Sequence, residues 1–129
     1  MPPQRLRLHR GEFSICRLAP GAPVPLWAGE SWLSLTRTDQ ELSLVCPEDH
    51  VPTGITRTGP WRVLEVEGPL DHAVVGVLES VLGPLARAAI PVFVVSSYDT
   101  DWILVPAGRL RRGLSCLRRQ GHMVSRAPG

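Results

Sequence analysis

The strongest constraint on the fold is an apolar stretch at residues 91–106, PVFVVSSYDTDWILVP, which polar residues interrupt only once. β-Branched and aromatic residues predict one strand at 92–95 and a second at 102–105. Because the connection between them is short and polar, the two strands should pair antiparallel as a hairpin. The polar side chains of the connection should then gather at one end of a β-sheet. They are Ser96, Ser97, Asp99, Thr100 and Asp101.

The size and composition predict a small globular protein. A chain of 129 residues is long enough for one compact domain or two very small ones. No apolar run approaches the roughly 20 residues of a membrane span. Residues 1–10 carry three arginines but no apolar stretch follows them, so a secretory signal is not predicted. We expect a cytoplasmic protein whose three scattered cysteines serve as small core residues.

The C-terminal residues are unusually basic. Residues 107–129 contain six arginines and no acidic residue. A patch of this kind can contact nucleic acid, but no aromatic residues are interleaved with the arginines. We therefore favour a solvated helix face and predict neither a nucleic acid nor a membrane as a partner.

The second half of the chain alternates between strand and helix patterns. Residues 61–67 alternate apolar and polar, and Asp71 is placed to cap a helix that follows the turn at 68–71. The hairpin comes next, then a helix at 107–119 and a closing strand at 122–125. The order strand, helix, strand, strand, helix, strand is that of the ferredoxin-like βαββαβ unit, with both helices on one face of an antiparallel sheet.

The first half resembles a reduced version of the same unit. Residues 1–10 permit an edge strand, residues 12–18 predict a strand, and 26–30 can form one helical turn at most. Residues 31–38 and 41–47 predict a second hairpin, and its residues 36–46 match 96–106 at an offset of 60 without a gap. We interpret the match as a duplication, with chance similarity of two hairpins as the alternative. The predicted fold is α+β, with two βαββαβ units in tandem at 1–58 and 59–129, the first reduced.

Two segments carry a resemblance to a known family. WRVLEVEGPLD, leading into a helix, and IPVFVVSSYDTDWILVP, following it, resemble the ACT domain. The likeness is to the branch of small bacterial tandem-ACT proteins and animal CASTOR arginine sensors, and TRTDQELSLVCPED is similar to the first unit of those bacterial proteins. The first unit departs from the ACT pattern because it lacks a full first helix.

The resemblance implies a regulatory protein that binds an amino acid at the interface between ACT units. The family binds such ligands with the loop after the first strand and with the following hairpin. Transferred to this sequence, those positions are Glu67, Gly68, Pro69, Leu70 and Asp71 in the loop, and Ser96, Ser97, Asp99, Thr100 and Asp101 in the hairpin.

The chemistry of these residues agrees in part with an amino-acid ligand. A helix start after a glycine-containing loop offers backbone N–H groups to a carboxylate. Clustered acids suit an ammonium or guanidinium group, and their surplus favours a ligand with a basic side chain. The alternative is purely structural, with Asp99 and Asp101 as turn formers and Asp71 as a helix cap.

No motif predicts catalysis. The chain lacks the GxSxG, HExxH and GxxxxGK[ST] patterns, and its four histidines are scattered. We predict a non-catalytic sensor without a cofactor or metal, acting as a homo-oligomer, most simply a dimer, or on a separate effector protein. The alternative function is a ligand-free interaction module that dimerises through sheet edges or helices.

Overall fold

The computed structural model describes residues 2–31, 33–71 and 75–128 and shows an α+β protein with a mixed sheet and two helices. In chain order the elements are β1 (Arg5–Leu8), β2 (Phe13–Leu18), β3 (Ser34–Arg37), β4 (Leu42–Pro47), β5 (Arg57–Val66), α1 (Val77–Arg87), β6 (Phe93–Ser96), β7 (Asp101–Pro106), α2 (Leu110–Arg119) and β8 (Met123–Arg126). Neither helix in these ranges is long and apolar enough to cross a membrane.

The chain divides into two compact units. The larger unit combines Met1–Arg10 with Arg62–Gly129, and the smaller unit is Gly11–Trp61. The predicted division between residues 58 and 59 lies close to the end of the smaller unit. The first ten residues, which we predicted in the N-terminal unit, instead belong to the larger unit with the C-terminal half of the chain.

In the larger unit, β1 is an interior strand of a mixed sheet. It pairs antiparallel with β5, where Leu6 lies opposite Val66, and parallel with β8, where Leu6 lies opposite Val124. The predictions of an edge strand and of a purely antiparallel sheet are therefore wrong here. The physical reason is visible in Leu6 and Leu8, which are buried against the helices. An interior strand also gives its backbone groups partners on both sides.

The predicted order of strand, helix, strand, strand, helix, strand is confirmed for β5 to β8. Both helices pack on one sheet face, and their shared core consists of fully buried aliphatic residues. These are Leu6, Leu8, Leu64, Val66, Val77, Val81, Leu85, Ile90, Ile103, Val105 and Leu117.

Helix α1 begins later than the sequence predicts. It starts at Val77 after Gly76, which has φ 89° and provides no side chain to cap the helix. The predicted cap at Asp71 is therefore wrong, since five residues separate it from the first helical residue. Val74, which we predicted on the apolar face of this helix, lies outside the described residues.

His122 joins three segments of the larger unit from a buried position. Its Nδ1 accepts the backbone N–H of Gln4 at 2.9 Å, and its Nε2–H donates to the carbonyl of Ser80 in α1 at 2.8 Å. The residue is 5% exposed, so water replaces neither bond readily. These two bonds fix the tautomer and connect the start of β1 to α1.

We expect His122→Ala to lower the free energy of unfolding by about 1–3 kcal/mol, because it leaves two partly buried backbone groups without their partner. His122→Asn keeps an acceptor near the position of Nδ1 and should lose about half as much. Urea unfolding of both variants measures the difference. Equal losses in the two variants would show that the bond to Gln4 contributes nothing.

The smaller unit has a sheet of β3, β4, β2 and the first residues of β5. Its strands occur where the sequence predicts them, and Leu26–Ala28 forms the expected single turn. Trp32, which we predicted at the start of the hairpin, lies outside the described residues. The strand predicted at 61–67 begins earlier, at Arg57, and ends at Val66.

The two hairpins correspond at an offset of 59 residues, so the predicted offset of 60 is wrong by one. Adding 59 to the bounds of β3 and β4 gives those of β6 and β7. The turns also match, because Thr38 N–H donates to the Glu41 carbonyl and Ser97 N–H to the Thr100 carbonyl. At this offset Asp39 corresponds to Tyr98 and not to Asp99. A shift of one residue moves each side chain to the opposite sheet face.

Two free cysteines occupy the core of the smaller unit. Cys16 and Cys46 lie diagonally across β2 and β4 on one sheet face, and each is at most 1% exposed. Burial raises the pKa of both thiols, and burial together with the neighbouring Cys16 raises the pKa of Cys46 to about 12. The Arg57 guanidinium opposes both increases. The predicted role of these cysteines as core residues is confirmed.

The thiol environment predicts alkaline destabilisation. Above the ordinary pKa of 9.0 the unfolded chain loses the Cys46 proton while the folded state keeps it. The corresponding stability is complete below pH 9.0 and is lost as the pH rises towards about 12. Urea unfolding across this range should show a shallower decline for Cys46→Ala than for the wild type. Val45→Ala, a core truncation without a titrating group, should keep the wild-type slope.

Candidate functional site

A cavity of about 320 Å³ lies in the larger unit, between the turn of the second hairpin and the start of α1. Its volume is at the lower end of the range of about 300–1,000 Å³ found for small-molecule sites. The lining comes from three segments that are distant in sequence. They are Leu70 and Asp71, then Gly76, Val77 and Leu78, then Ser96, Ser97, Tyr98, Asp99, Thr100 and Asp101.

Hydrogen bonds within the hairpin hold its side of the cavity. The Ser96 hydroxyl donates to Asp101 Oδ1 at 2.6 Å, across the last strand pair before the turn. The Ser97 hydroxyl donates to the Thr100 carbonyl at 3.0 Å and accepts the indole N–H of Trp102, also at 3.0 Å. The turn is therefore shaped by its own side chains.

The loop after β5 is tied to the same turn. The Leu70 N–H donates to the Asp99 carbonyl at 2.7 Å, and the Thr100 hydroxyl donates to the carbonyl of Val66. Thr100 is 6% exposed, so its bond is shielded from water. These two bonds join the ends of β5 and β7 at the cavity wall.

Gly68 permits this close approach. A Cβ at this position would lie 3.0 Å from the Asp99 carbonyl oxygen and 3.2 Å from the Leu70 nitrogen. Both are backbone atoms, which cannot move aside as the end of a flexible side chain can. The sequence therefore places a glycine where the loop and the hairpin come into contact.

The described lining is acidic. Asp71, Asp99 and Asp101 contribute carboxyl groups, and no lysine or arginine is among the described residues that line the cavity. On the opposite side, the first turn of α1 offers backbone N–H groups that have no partner within the helix. The cavity thus combines groups that attract a cation with groups that bind an anion.

The structure brings seven of the ten predicted site residues together at this cavity. They are Leu70, Asp71, Ser96, Ser97, Asp99, Thr100 and Asp101. The other three have different positions. Glu67 lies 3.6 Å from the guanidinium of Arg7, Gly68 abuts the hairpin, and Pro69 is exposed. The part that each residue plays in binding stays a prediction.

Sequence reasoning missed four lining residues. Gly76, Val77 and Leu78 were missed because the helix start was predicted too early, at Asp71. The available signal was Gly76 itself, since a glycine directly before an apolar helical pattern can mark the boundary. Tyr98 lies within the predicted turn but was assigned no role.

We expect Gly68→Ala to lower the free energy of unfolding by about 1–3 kcal/mol, because the new Cβ presses on the Asp99 carbonyl. Gly108→Ala is the matched control, since a Cβ there meets no atom within 4 Å. Chemical denaturation of both variants tests the contact. A Gly68→Ala variant as stable as the control would show that the loop and the hairpin are not in tight contact.

Two family models match separate parts of the chain. Residues 57–119 match the ACT domain, and residues 11–54 match the N-terminal domain of a further family. The first match includes all of the described residues that line the cavity. The class of domain that the fold and site indicate for residues 57–119 is therefore the ACT domain.

Solved structures include a closer relative. Protein Atu0741 from Agobacterium tumefaciens is 33% identical, with a TM-score of 0.92, and the alignment covers 100% of this chain and 97% of that one. The chain belongs to the same family as this protein. No curated protein sequence matches the chain.

More distant structures share only the fold. VC0802 from Vibrio cholerae, described as a possible transport protein, has a TM-score of 0.76 at 20% identity, covering 91% of this chain and 89% of that one. The regulatory subunit of aspartate kinase from Thermus flavus has a TM-score of 0.62 at 10% identity, covering 89% and 95%. The architecture is thus shared with a regulatory subunit of similar extent.

Proposed function

We propose that this chain is a non-catalytic regulatory protein that binds a free amino acid in the acidic cavity beside α1. The observation that carries the proposal is the placement of three carboxyl groups and the first residues of α1 around one cavity of ligand size. An amino acid carries an ammonium group and a carboxylate group on the same carbon atom, and these two groups complement the charges of the cavity. The match of residues 57–119, which include the cavity lining, to the ACT domain supports the same function.

The two ends of the ligand would be held by different elements. The backbone N–H groups of Val77 and Leu78 suit the α-carboxylate, because a helix N-terminus carries partial positive charge. Asp99 and Asp101 suit the α-ammonium group. With Asp71 as a third carboxyl group, the charge balance favours a ligand whose side chain is also basic.

The proposed regulation extends the resemblance to tandem-ACT proteins, including the branch with the arginine sensors. Two hairpins of equal length, each followed by a short 3₁₀ turn at Glu48–His50 or Ala107–Arg109, support a duplication. The fold shared with the aspartate kinase regulatory subunit supports a regulatory role. We propose action as a homo-oligomer or on a separate effector protein in the cytoplasm, where the free thiols are expected to persist.

The test is a thermal-melt panel of the individual amino acids. Binding at about 100 times Kd stabilises a protein by about 2.7 kcal/mol, which raises the melting temperature by several degrees. We expect such a rise for one or two amino acids, the basic ones first. A flat profile across the panel would contradict the sensor function.

A charge-removing variant locates the site. Asp101→Asn keeps the oxygen that accepts the Ser96 hydroxyl but removes the negative charge, so the fold should melt as before. We expect it to weaken ligand binding by about tenfold or more. Asp39→Asn makes the same change in the hairpin turn of the smaller unit and should leave binding unchanged. If only Asp39→Asn weakened binding, the site would belong to the smaller unit.

A ligand-free interaction module is the second candidate. Val75 and Tyr98, 84% and 83% exposed, lie next to or within the cavity lining, and apolar side chains on a surface often mark an interface. This function predicts a dimer whose stability no amino acid changes. Sedimentation with and without the panel therefore separates the two candidates.

A further inference from the structure

A second cavity of the larger unit has the opposite charge. It encloses about 380 Å³ between α1 and α2, and three arginines line it: Arg87, Arg112 and Arg119. It shares no lining residue with the acidic cavity. Any ligand here would be additional to the proposed amino acid.

The helices bring these arginines together by regular spacing. Arg112 and Arg119 are seven residues apart on α2, which is close to two helical turns, so they share a face. Arg87 belongs to the last turn of α1. Leu117 is buried in the core between the helices and the sheet, which leaves the arginine face outward.

Stabilisation of the helices does not account for all three charges. A cation in the last turn of a helix interacts favourably with the helix dipole, which applies to Arg87 and Arg119. Arg112 lies in the first turn of α2, where the dipole disfavours a cation and where no acidic residue is present. Interaction with the helix dipole therefore does not explain a cation at position 112.

Within the described part of the chain no carboxylate forms an ion pair with these arginines, although the Glu79 carboxylate and the Arg87 guanidinium both lie close to Gly83. The cavity lining contains no acidic residue, and none of the three guanidinium groups forms an ion pair there. The Arg119 guanidinium donates to the Cys116 sulfur, at 3.4 Å. Glu79 lines an adjoining cavity that shares Arg87, but the two side chains form no ion pair. Three like charges around one concave surface attract an anion strongly.

We propose that this cavity binds a small anion with two or more phosphate groups. The planar guanidinium fork donates two parallel hydrogen bonds to a phosphate, and three such groups complement the charge of a diphosphate. Pro84, Ala88 and Cys116 add an apolar surface for the remainder of the ligand. A cavity of this volume suits a small molecule, and single-stranded nucleic acid would require aromatic stacking surfaces, which are missing from the lining.

Isothermal titration of the full chain with pyrophosphate at constant ionic strength tests the proposal. We expect saturable binding of one pyrophosphate per chain. Arg112→Gln should weaken it by about tenfold, the loss expected for one charge-assisted contact. Arg111→Gln is the matched control, because it removes the same charge from the same helical turn but from a residue outside the cavity.

Several outcomes would overturn the proposal. They are a lack of saturable binding, equal weakening in the Arg111→Gln and Arg112→Gln variants, and citrate binding as tightly as pyrophosphate. Short duplex DNA that binds more tightly than pyrophosphate would instead identify a nucleic-acid surface. Both arginines are exposed, so the two variants should fold, and urea unfolding checks that they do. The result is independent of the amino-acid panel, because the cavities have no residue in common.

Discussion

The larger unit depends on the insertion of its N-terminal strand β1 between β5, from the middle of the chain, and β8, from its C-terminal part. β1 pairs with both β5 and β8, and the side chains of Leu6 and Leu8 fill the core beneath the helices. Without it, two strands would lose a neighbour and α1 would lose part of the surface on which it packs. His122 adds a polar connection between the same segments. The cavity at the start of α1 is positioned by a sheet that only the full chain completes.

Within that frame, the acidic cavity depends on one short-range contact. The Leu70 N–H donates to the Asp99 carbonyl, and the Thr100 hydroxyl donates to the Val66 carbonyl. Because Gly68 has no side chain, the backbones of the loop and the hairpin can approach this closely. The Asp99 carbonyl already accepts the Leu70 N–H, and the Thr100 carbonyl accepts both the N–H and the hydroxyl of Ser97. The carboxyl groups of Asp99 and Asp101 are therefore held on a shaped turn, which reduces the entropy lost on binding.

Local patterns in the sequence predict the strands, the order of elements and five polar hairpin residues of the lining, because each depends on nearby residues or on one short hairpin. Leu70 and Asp71 come instead from the resemblance to the ACT domain. The predictions that are wrong concern features that depend on strand pairing and hydrogen bonds between distant residues. Leu6 and Leu8 alternate with arginines in a way that suits an edge or an interior strand, and only the partner β8 decides between them. Identical residues such as Leu44 and Leu104 favour an offset of 60 between the two hairpins. The backbone hydrogen bonds of the two turns correspond at an offset of 59. Asp71 resembles a helix cap because residue type alone does not show where the first helical bond forms.

The two cavities of the larger unit lie at opposite ends of α1, and residues of this helix line both of them. The acidic cavity touches its first residues, Val77 and Leu78, while the basic cavity touches Pro84 and Arg87 in its last turn. The helix of 11 residues contributes to the walls of both cavities. If the two proposed ligands both displaced α1, each would change the affinity of the other by the same factor, because coupling between two binding sites is reciprocal.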